Sequence, residues 1–113
     1  MKRNNVDLAS PDLLRRSAAL GHAVAQARIA RNMTRQDFSE RANISPSTLV
    51  RIEKGDVSVS FLSWLQAFER AGLIALLQPL ADPQNDLVGE VQRQDKARRR
   101  ARRSDADTDD LDF

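Results

Sequence analysis

A run of short polar and cationic side chains lies in the stretch SPSTLVRIEK, residues 45–54. Hydroxyl and guanidinium groups hydrogen-bond the edges of nucleobases, and cations also contact phosphates. If the stretch is helical, three- and four-residue separations place most of these side chains on one face. Leu49 and Ile52 then fall on the opposite, apolar face. The pattern predicts a helix that packs on one side and contacts nucleic acid on the other, through Ser45, Ser47, Thr48, Arg51 and Lys54.

The residues around this helix predict two short helices joined by a tight turn, residues 34–55. Thr34 is suited to cap the first of them, and Asn43 accepts the left-handed backbone that a turn between crossing helices requires. Ser45 followed by proline is typical of a helix start, and Gly55 of a helix end. The arrangement is a helix-turn-helix, whose second helix enters the major groove of DNA while the first crosses the phosphates.

Apolar periodicity predicts further helices around this motif. One runs from Ser10 to about Asn32, and another from Ser60 to Gly72. The nearly all-apolar residues 73–80 are compatible with a short helix or, as the less favoured alternative, a strand. The expected inward positions are Leu13, Leu14, Ala18, Leu20, Val24, Ala27 and Ile29 in the first helix, Phe38, Ala42, Ile44, Leu49 and Ile52 in the motif, and Phe61, Trp64, Leu65 and Phe68 in the later helix.

Charge and composition divide the chain into four segments. Residues 1–9 are expected to be a flexible arm, and residues 10–81 the helix-turn-helix domain. Residues 82–103 form a basic extension with a marginal helix, because few apolar positions anchor it; its end, KARRRARR at 96–103, has six cations in eight positions. Residues 104–113 have five aspartates in ten positions and are expected to be a disordered acidic tail.

The composition excludes several functional classes. Because the chain has no cysteine, disulfides, thiolate catalysis and cysteine-ligated zinc are ruled out, and the single histidine, His22, cannot build a multi-histidine site. The longest apolar run, residues 73–77, is far shorter than the roughly 20 residues that span a bilayer. The first residues also lack the apolar core of a signal peptide. We therefore expect a cytoplasmic protein that is not an enzyme and uses no cofactor or metal.

Residues 20–80 resemble the Cro/repressor family of helix-turn-helix domains, often called XRE-type. The resemblance is carried by LGHAVAQAR, TRQDF, ISPSTLVRIEKG and FLSWLQAFERAGL. It implies an all-α, five-helix domain that binds double-stranded operator DNA as a homodimer. It also implies an ion pair between a cation of the first helix and a glutamate of the recognition helix, here Arg28 and Glu53. Residues 73–80 are then expected to contact the second copy, or alternatively to pack within the monomer.

Two departures from the family pattern change the expected base preference. Arg35 and Pro46 stand where glutamines are usual, and a glutamine amide bonds adenine through two hydrogen bonds. Arg51 is therefore expected to contact guanine, with shorter contacts from the serines that precede it and phosphate contacts from Arg35 and Lys54. The alternative for Arg51 is a phosphate contact.

The ending DLDF, after an acidic stretch, is similar to the terminus of HipB-type antitoxins. Such antitoxins silence a HipA-type kinase toxin and repress their own operon. The resemblance implies that Leu111 and Phe113 anchor the tail in a partner protein, and that the chain is the autoregulating antitoxin of a toxin–antitoxin module. Three alternatives stay open: a stand-alone phage-type repressor, a toxin inhibitor or adaptor acting mainly through its tail, and nonspecific nucleic-acid binding driven by residues 96–103.

Overall fold

The computed structural model describes residues 5–106, and every regular element among them is helical. The α-helices are α1 (Pro11–Ala30), α2 (Arg35–Ala42), α3 (Pro46–Glu53), α4 (Phe61–Ala71), α5 (Gln78–Ala81) and α6 (Leu87–Ala106). Short 3-10 helices cover Asn5–Leu8, Ile74–Leu77 and Pro83–Asn85. The expected all-α class is confirmed. The described residues contain six α-helices, five of them within residues 10–81, and the exact count expected for the family is not confirmed.

The described residues fall into two compact units, one ending at Leu76 and the other beginning at Leu77. The first unit contains α1 to α4, and the second contains α5 and α6. Within residues 5–106, none of the helices has both the length and the apolar composition needed to cross a membrane.

Local capping signals set the helix boundaries of the first unit. At the start of each of the helices α1 to α4 a hydroxyl oxygen accepts a hydrogen bond from the amide three residues later, at 3.0–3.2 Å. Asn43 ends α2 in the left-handed conformation, with φ 59° and ψ 40°, and Gly72 ends α4 with φ 76°. These contacts satisfy backbone groups that a helix end leaves unpaired. The capping residues are Ser10, Thr34, Ser45 and Ser60, as the sequence predicts.

The hydrophobic core lies among α1, α2, α3 and α4. Phe38, Leu49 and Ile52 of the helix-turn-helix are fully buried, as expected, and Ile44 in the turn is partly buried. Complete burial of a side chain of this size contributes about 1.5–3 kcal/mol. The core therefore fixes α3 by its apolar face. The other buried apolar residues are Val24, Ala42, Val59, Trp64, Ala67, Phe68 and Ala71.

The predicted apolar stripe of α1 is largely wrong. Leu13, Leu20 and Ile29 are 57, 48 and 54% exposed. The buried residues of α1 are instead Ser17, Gly21, Val24 and Arg28. A Cβ at Gly21 would lie only 2.1 Å from the backbone oxygen of Ile52, so α1 approaches the end of α3 too closely for large side chains. Close approach of backbones, rather than apolar periodicity, selects the buried face of α1.

Phe61 is also misassigned to the core, since it is 73% exposed. It is the first residue of α4, and the buried positions begin one turn later. Trp64 and Phe68 are buried as expected, whereas Leu65 is only partly buried. The buried stripe of α4 continues through Ala67 and Ala71. The buried face of the helix is therefore rotated about the helix axis from the predicted face.

The residues that follow α4 are also helical. Residues 74–81 form a 3-10 turn and a short α-helix, which confirms the helical alternative. α6 spans 20 residues, so the helix expected in the basic extension is present and continues through residues 104–106. Asp86 caps its first turn by accepting from the Gly89 amide at 3.1 Å, and ion pairs one turn apart support its exposed sides.

Some expectations fall on residues outside the described range. The proposed anchors Leu111 and Phe113 lie there, with the rest of residues 107–113. Residues 1–4 of the expected arm lie outside it as well, whereas Asn5–Leu8 of that arm form a 3-10 helix.

Candidate nucleic-acid interface

α3 has two chemically different faces. Leu49 and Ile52 are fully buried against the core. Ser47, Arg51 and Lys54, which are three or four residues apart, are exposed on the other side. The capped start of α3 and the left-handed turn before it hold this polar face outward. The structure therefore brings Ser47, Arg51 and Lys54 onto one accessible surface.

Three hydroxyl groups cluster at the start of α3. The Ser45 hydroxyl donates to Thr48 Oγ1 at 2.8 Å, and its oxygen accepts from the Thr48 amide at 3.1 Å. Ser47 Oγ lies 3.1 Å from Ser45 Oγ. Ser45 and Ser47 are exposed and Thr48 is partly buried. Thr48 is thus mainly a partner of the cap, and the Ser45 hydroxyl proton is used within the cap as well. The exposed Ser47 hydroxyl can turn towards a ligand.

Arg51 is held by two residues that follow α3. Its Nε donates to Asp56 Oδ2 at 2.9 Å, and its Nη2 donates to Ser58 Oγ at 2.7 Å. The side chain of Arg51 stays 49% exposed. Sequence reasoning missed both partners, although an aspartate two residues before a serine is a common turn signal. Asp56 and Ser58 therefore belong to the candidate interface.

The carboxylate of Asp56 is strongly favoured in its ionised form. The Ser58 hydroxyl, the Arg51 guanidinium and the Ser58 amide all donate hydrogen bonds to it, which lowers the pKa of Asp56 from 3.8 to about 2. At neutral pH this group is a full negative charge beside Arg51. The pair is thus an ion pair at the edge of the polar face, and the hydrogen bonds that Asp56 accepts measure 2.6–2.9 Å.

Glu53 joins two arginines beneath the interface. Arg28 Nε lies 2.8 Å from Glu53 Oε2, and Arg35 Nε lies 2.9 Å from Glu53 Oε1. The side chains of Arg28 and Glu53 are only 11 and 4% exposed, whereas that of Arg35 is 54% exposed. Arg28 Nη1 also donates to the Met33 backbone oxygen at 3.0 Å. The arrangement ties α1 and the start of α2 to the end of α3.

Arg35 and Lys54 differ in their freedom to contact phosphates. Arg35 already shares the Glu53 carboxylate, which orients its guanidinium at the start of α2. Lys54 caps α3 through its backbone amide, and its side chain forms no ion pair with any of the residues described. Both side chains are exposed. The start of α2 and the end of α3 therefore each present a cation at the rim of the polar face.

One comparison with known proteins found a match. A family model described as helix-turn-helix matches residues 24–66, which include α2, α3 and the two faces of α3 described above. This match supports a DNA-binding regulator with a Cro/repressor-type, or XRE-type, helix-turn-helix domain. A search of curated proteins and a search of solved structures found no match.

Proposed function

We propose that this chain is a sequence-specific transcriptional repressor that binds double-stranded operator DNA as a homodimer and catalyses no reaction. One observation carries the proposal: a helix-turn-helix whose second helix buries Leu49 and Ile52 and exposes Ser47, Arg51 and Lys54. A helix with this division fits the major groove, because its packed face fixes the angle at which its polar face meets the bases.

Each exposed side chain has a distinct task in this proposal. Arg51 contacts guanine, which presents two acceptors in the major groove, and the hydroxyls of Ser45 and Ser47 make shorter contacts. Arg35 and Lys54 contact phosphates on either side of the groove. Phosphate contacts supply affinity that falls with salt, and the base contacts supply discrimination of about 1–3 kcal/mol each.

The test is an unbiased selection of duplexes with the full-length protein. We expect enrichment of a palindromic site whose half-sites are about one helical turn apart. Arg51→Ala should then lower the ratio of affinities for the selected and a scrambled duplex. The matched control is Arg15→Ala on α1, which removes another exposed arginine, one whose partner is Asp12. A protein that enriches no sequence would contradict the proposal.

We further propose that the repressor is the antitoxin of an autoregulated toxin–antitoxin module. This finer assignment rests on the acidic residues 104–113 and their ending DLDF, in which Leu111 and Phe113 would enter a pocket of a HipA-type kinase toxin. A single buried aromatic anchor can contribute a few kcal/mol to such a complex.

Deletion of residues 104–113 separates the possible roles. An antitoxin should lose toxin binding and keep operator binding, and the double variant Leu111→Ala, Phe113→Ala should behave in the same way. A stand-alone repressor would bind no toxin, with or without residues 104–113. An adaptor acting mainly through its tail would bind the partner and show no sequence preference on DNA. Co-purification with the product of a neighbouring kinase-like gene, together with the duplex selection, measures both activities.

A further inference from the structure

A hydrogen-bond network connects Arg51 to the hydrophobic core. Asp56 accepts from the Arg51 guanidinium at 2.9 Å and from the Ser58 hydroxyl and amide at 2.6 and 2.8 Å. The Asp56 backbone is fixed in turn, since its carbonyl accepts from Trp64 Nε1 at 3.2 Å and its amide donates to the Arg51 carbonyl at 3.0 Å. Trp64 is 8% exposed. A buried indole therefore anchors the loop that holds an exposed arginine.

The network engages only one edge of the guanidinium. Arg51 uses Nε and Nη2 to bind Asp56 and Ser58, and Nη1 has no hydrogen-bond partner within residues 5–106. A guanidinium has five N–H donors in a rigid fork, so the edge formed by Nη1 and the second proton of Nη2 remains free. That edge has the geometry for two parallel hydrogen bonds to O6 and N7 of guanine.

Holding this arginine in place should favour base contacts over phosphate contacts. A long flexible side chain loses rotamer freedom on binding, and a side chain already fixed in the free protein loses less. The ionised Asp56 also repels phosphates, so it opposes nonspecific binding through the same arginine. Both effects raise the affinity of Arg51 for guanine relative to its affinity for phosphates.

We propose that Asp56 and Ser58 are positioning residues that aim the Nη1–Nη2 edge of Arg51 at a guanine in the major groove. This inference rests on the proposed DNA-binding function and adds two residues to its specificity. Asp56 and Ser58 do not touch the base; they act through Arg51.

The experiment compares Asp56→Asn, Ser58→Ala and Arg51→Ala on the selected duplex, a scrambled duplex, and a duplex with 7-deazaguanine at the selected guanine. Asparagine keeps an oxygen for the Ser58 amide, so the turn survives while the ion pair with Arg51 is removed. We expect Asp56→Asn to lower the selected-to-scrambled affinity ratio about tenfold, nearly as much as Arg51→Ala. In the Arg51→Ala background, Asp56→Asn should cause no further loss.

The matched control is Asp37→Asn. Asp37 is an exposed acid in the first turn of α2, so the variant removes the same charge without touching Arg51. It should leave the ratio unchanged. The 7-deaza duplex should bind the wild type more weakly than the selected duplex and should not affect Arg51→Ala, because only the arginine contacts N7.

Three outcomes would overturn the inference. In the first, Asp56→Asn keeps the wild-type ratio while Arg51→Ala loses it, so that DNA recognition stands and the positioning role falls. In the second, Asp56→Asn causes the same loss with and without Arg51. In the third, the Arg51 Nε–H signal in NMR spectra of the free protein exchanges as fast in wild type as in Asp56→Asn. Enrichment of no duplex at all would instead remove the proposed function, and the inference with it.

Discussion

Two arginines share the carboxylate of Glu53, yet their surroundings differ. Arg28 is almost completely buried with Glu53, and Arg35 is about half exposed. Taking a charge pair out of water costs several kcal/mol, so removal of one buried partner leaves an uncompensated charge. An exposed ion pair contributes little, because solvent screens it. The same carboxylate thus serves a structural contact on one side and a surface contact on the other.

Arg28→Ala should lower the free energy of unfolding by about 3 kcal/mol, because the buried Glu53 loses its main partner. Arg35→Ala should lower it by at most about 1 kcal/mol, and it serves as the control. Urea unfolding followed by circular dichroism measures both values. Equal effects of the two substitutions would mean that Arg28 and Glu53 are not the buried pair described above.

Asp56 makes stability depend on pH in a defined range. Its folded-state pKa is about 2 and its ordinary value is 3.8, so the folded state favours the ionised form. The resulting stabilisation is fully present above the ordinary value and is lost as the pH falls from about 4 towards 2. We expect the stability difference between wild type and Asp56→Asn to shrink over this range. Thermal unfolding at several pH values measures it, and a constant difference would contradict the assignment.

At the scale of elements, α1 shows how packing can override an apolar pattern. Ser17 Oγ donates to the Gly55 backbone oxygen at 2.5 Å, and Gly21 leaves no room for a Cβ against the end of α3. Small residues thus let the two helices meet through their backbones, and the leucines of α1 remain at the surface. This contact determines how closely the end of α3 approaches α1.

The C-terminal half of α6 has cations on opposite faces. At 3.6 residues per turn, Lys96, Arg100 and Arg103 lie together, and Arg98 and Arg102 lie on the other side. All five are exposed. The face with Lys96 also includes an arginine at position 99, which pairs with the aspartate at position 95 at 3.0 Å. Cations clustered along one face of a helix are the electrostatic footprint of a nucleic-acid-binding surface.

We expect Arg100→Gln with Arg103→Gln to reduce the salt dependence of DNA binding. For each phosphate that the variant no longer neutralises, the slope of log affinity against log salt should become shallower by about 0.9. Arg98→Gln with Arg102→Gln removes the same charge from the opposite face and is the control. Fluorescence anisotropy at several salt concentrations gives the slopes. Equal reductions by both pairs would indicate a diffuse charge effect rather than binding by one face.

At the scale of the whole molecule, the proposed function depends on pairing two copies. A single α3 contacts only a few base pairs, and the discrimination of one half-site is small beside the number of competing sites in a genome. Within the first unit, Ile74 and Leu76 are 39 and 72% exposed beyond the end of α4. We propose this apolar surface as part of the contact between the two copies, because contiguous exposed apolar patches favour association.

The spacing of the half-sites tests the dimer. A rigid dimer places its two α3 helices in successive major grooves on one side of the duplex, about 34–36 Å apart. Insertion of half a helical turn, about 5 base pairs, should therefore weaken binding strongly, and insertion of a full turn should weaken it less. Gel-shift titrations of the selected site and its insertion variants measure the effect. Equal affinity for all spacings would show that the copies bind independently.

The sequence alone determined the helix boundaries of the first unit and the outward face of α3. Capping hydroxyls, Pro46 and the left-handed Asn43 act over a few residues, so their effects can be predicted without the rest of the chain. The alternation of Leu49 and Ile52 with polar residues likewise predicts which face of α3 packs.

Only the tertiary structure decided which side chains meet. Asp56 and Ser58 bind Arg51 because of where the loop after α3 turns. Leu13 and Phe61 are exposed because of how closely the helices approach one another. These distances are set by the packing of all four helices at once, and apolar periodicity contains no information about them. The sequence therefore predicts where the interface lies, whereas the residues that hold Arg51 are found only in the tertiary structure.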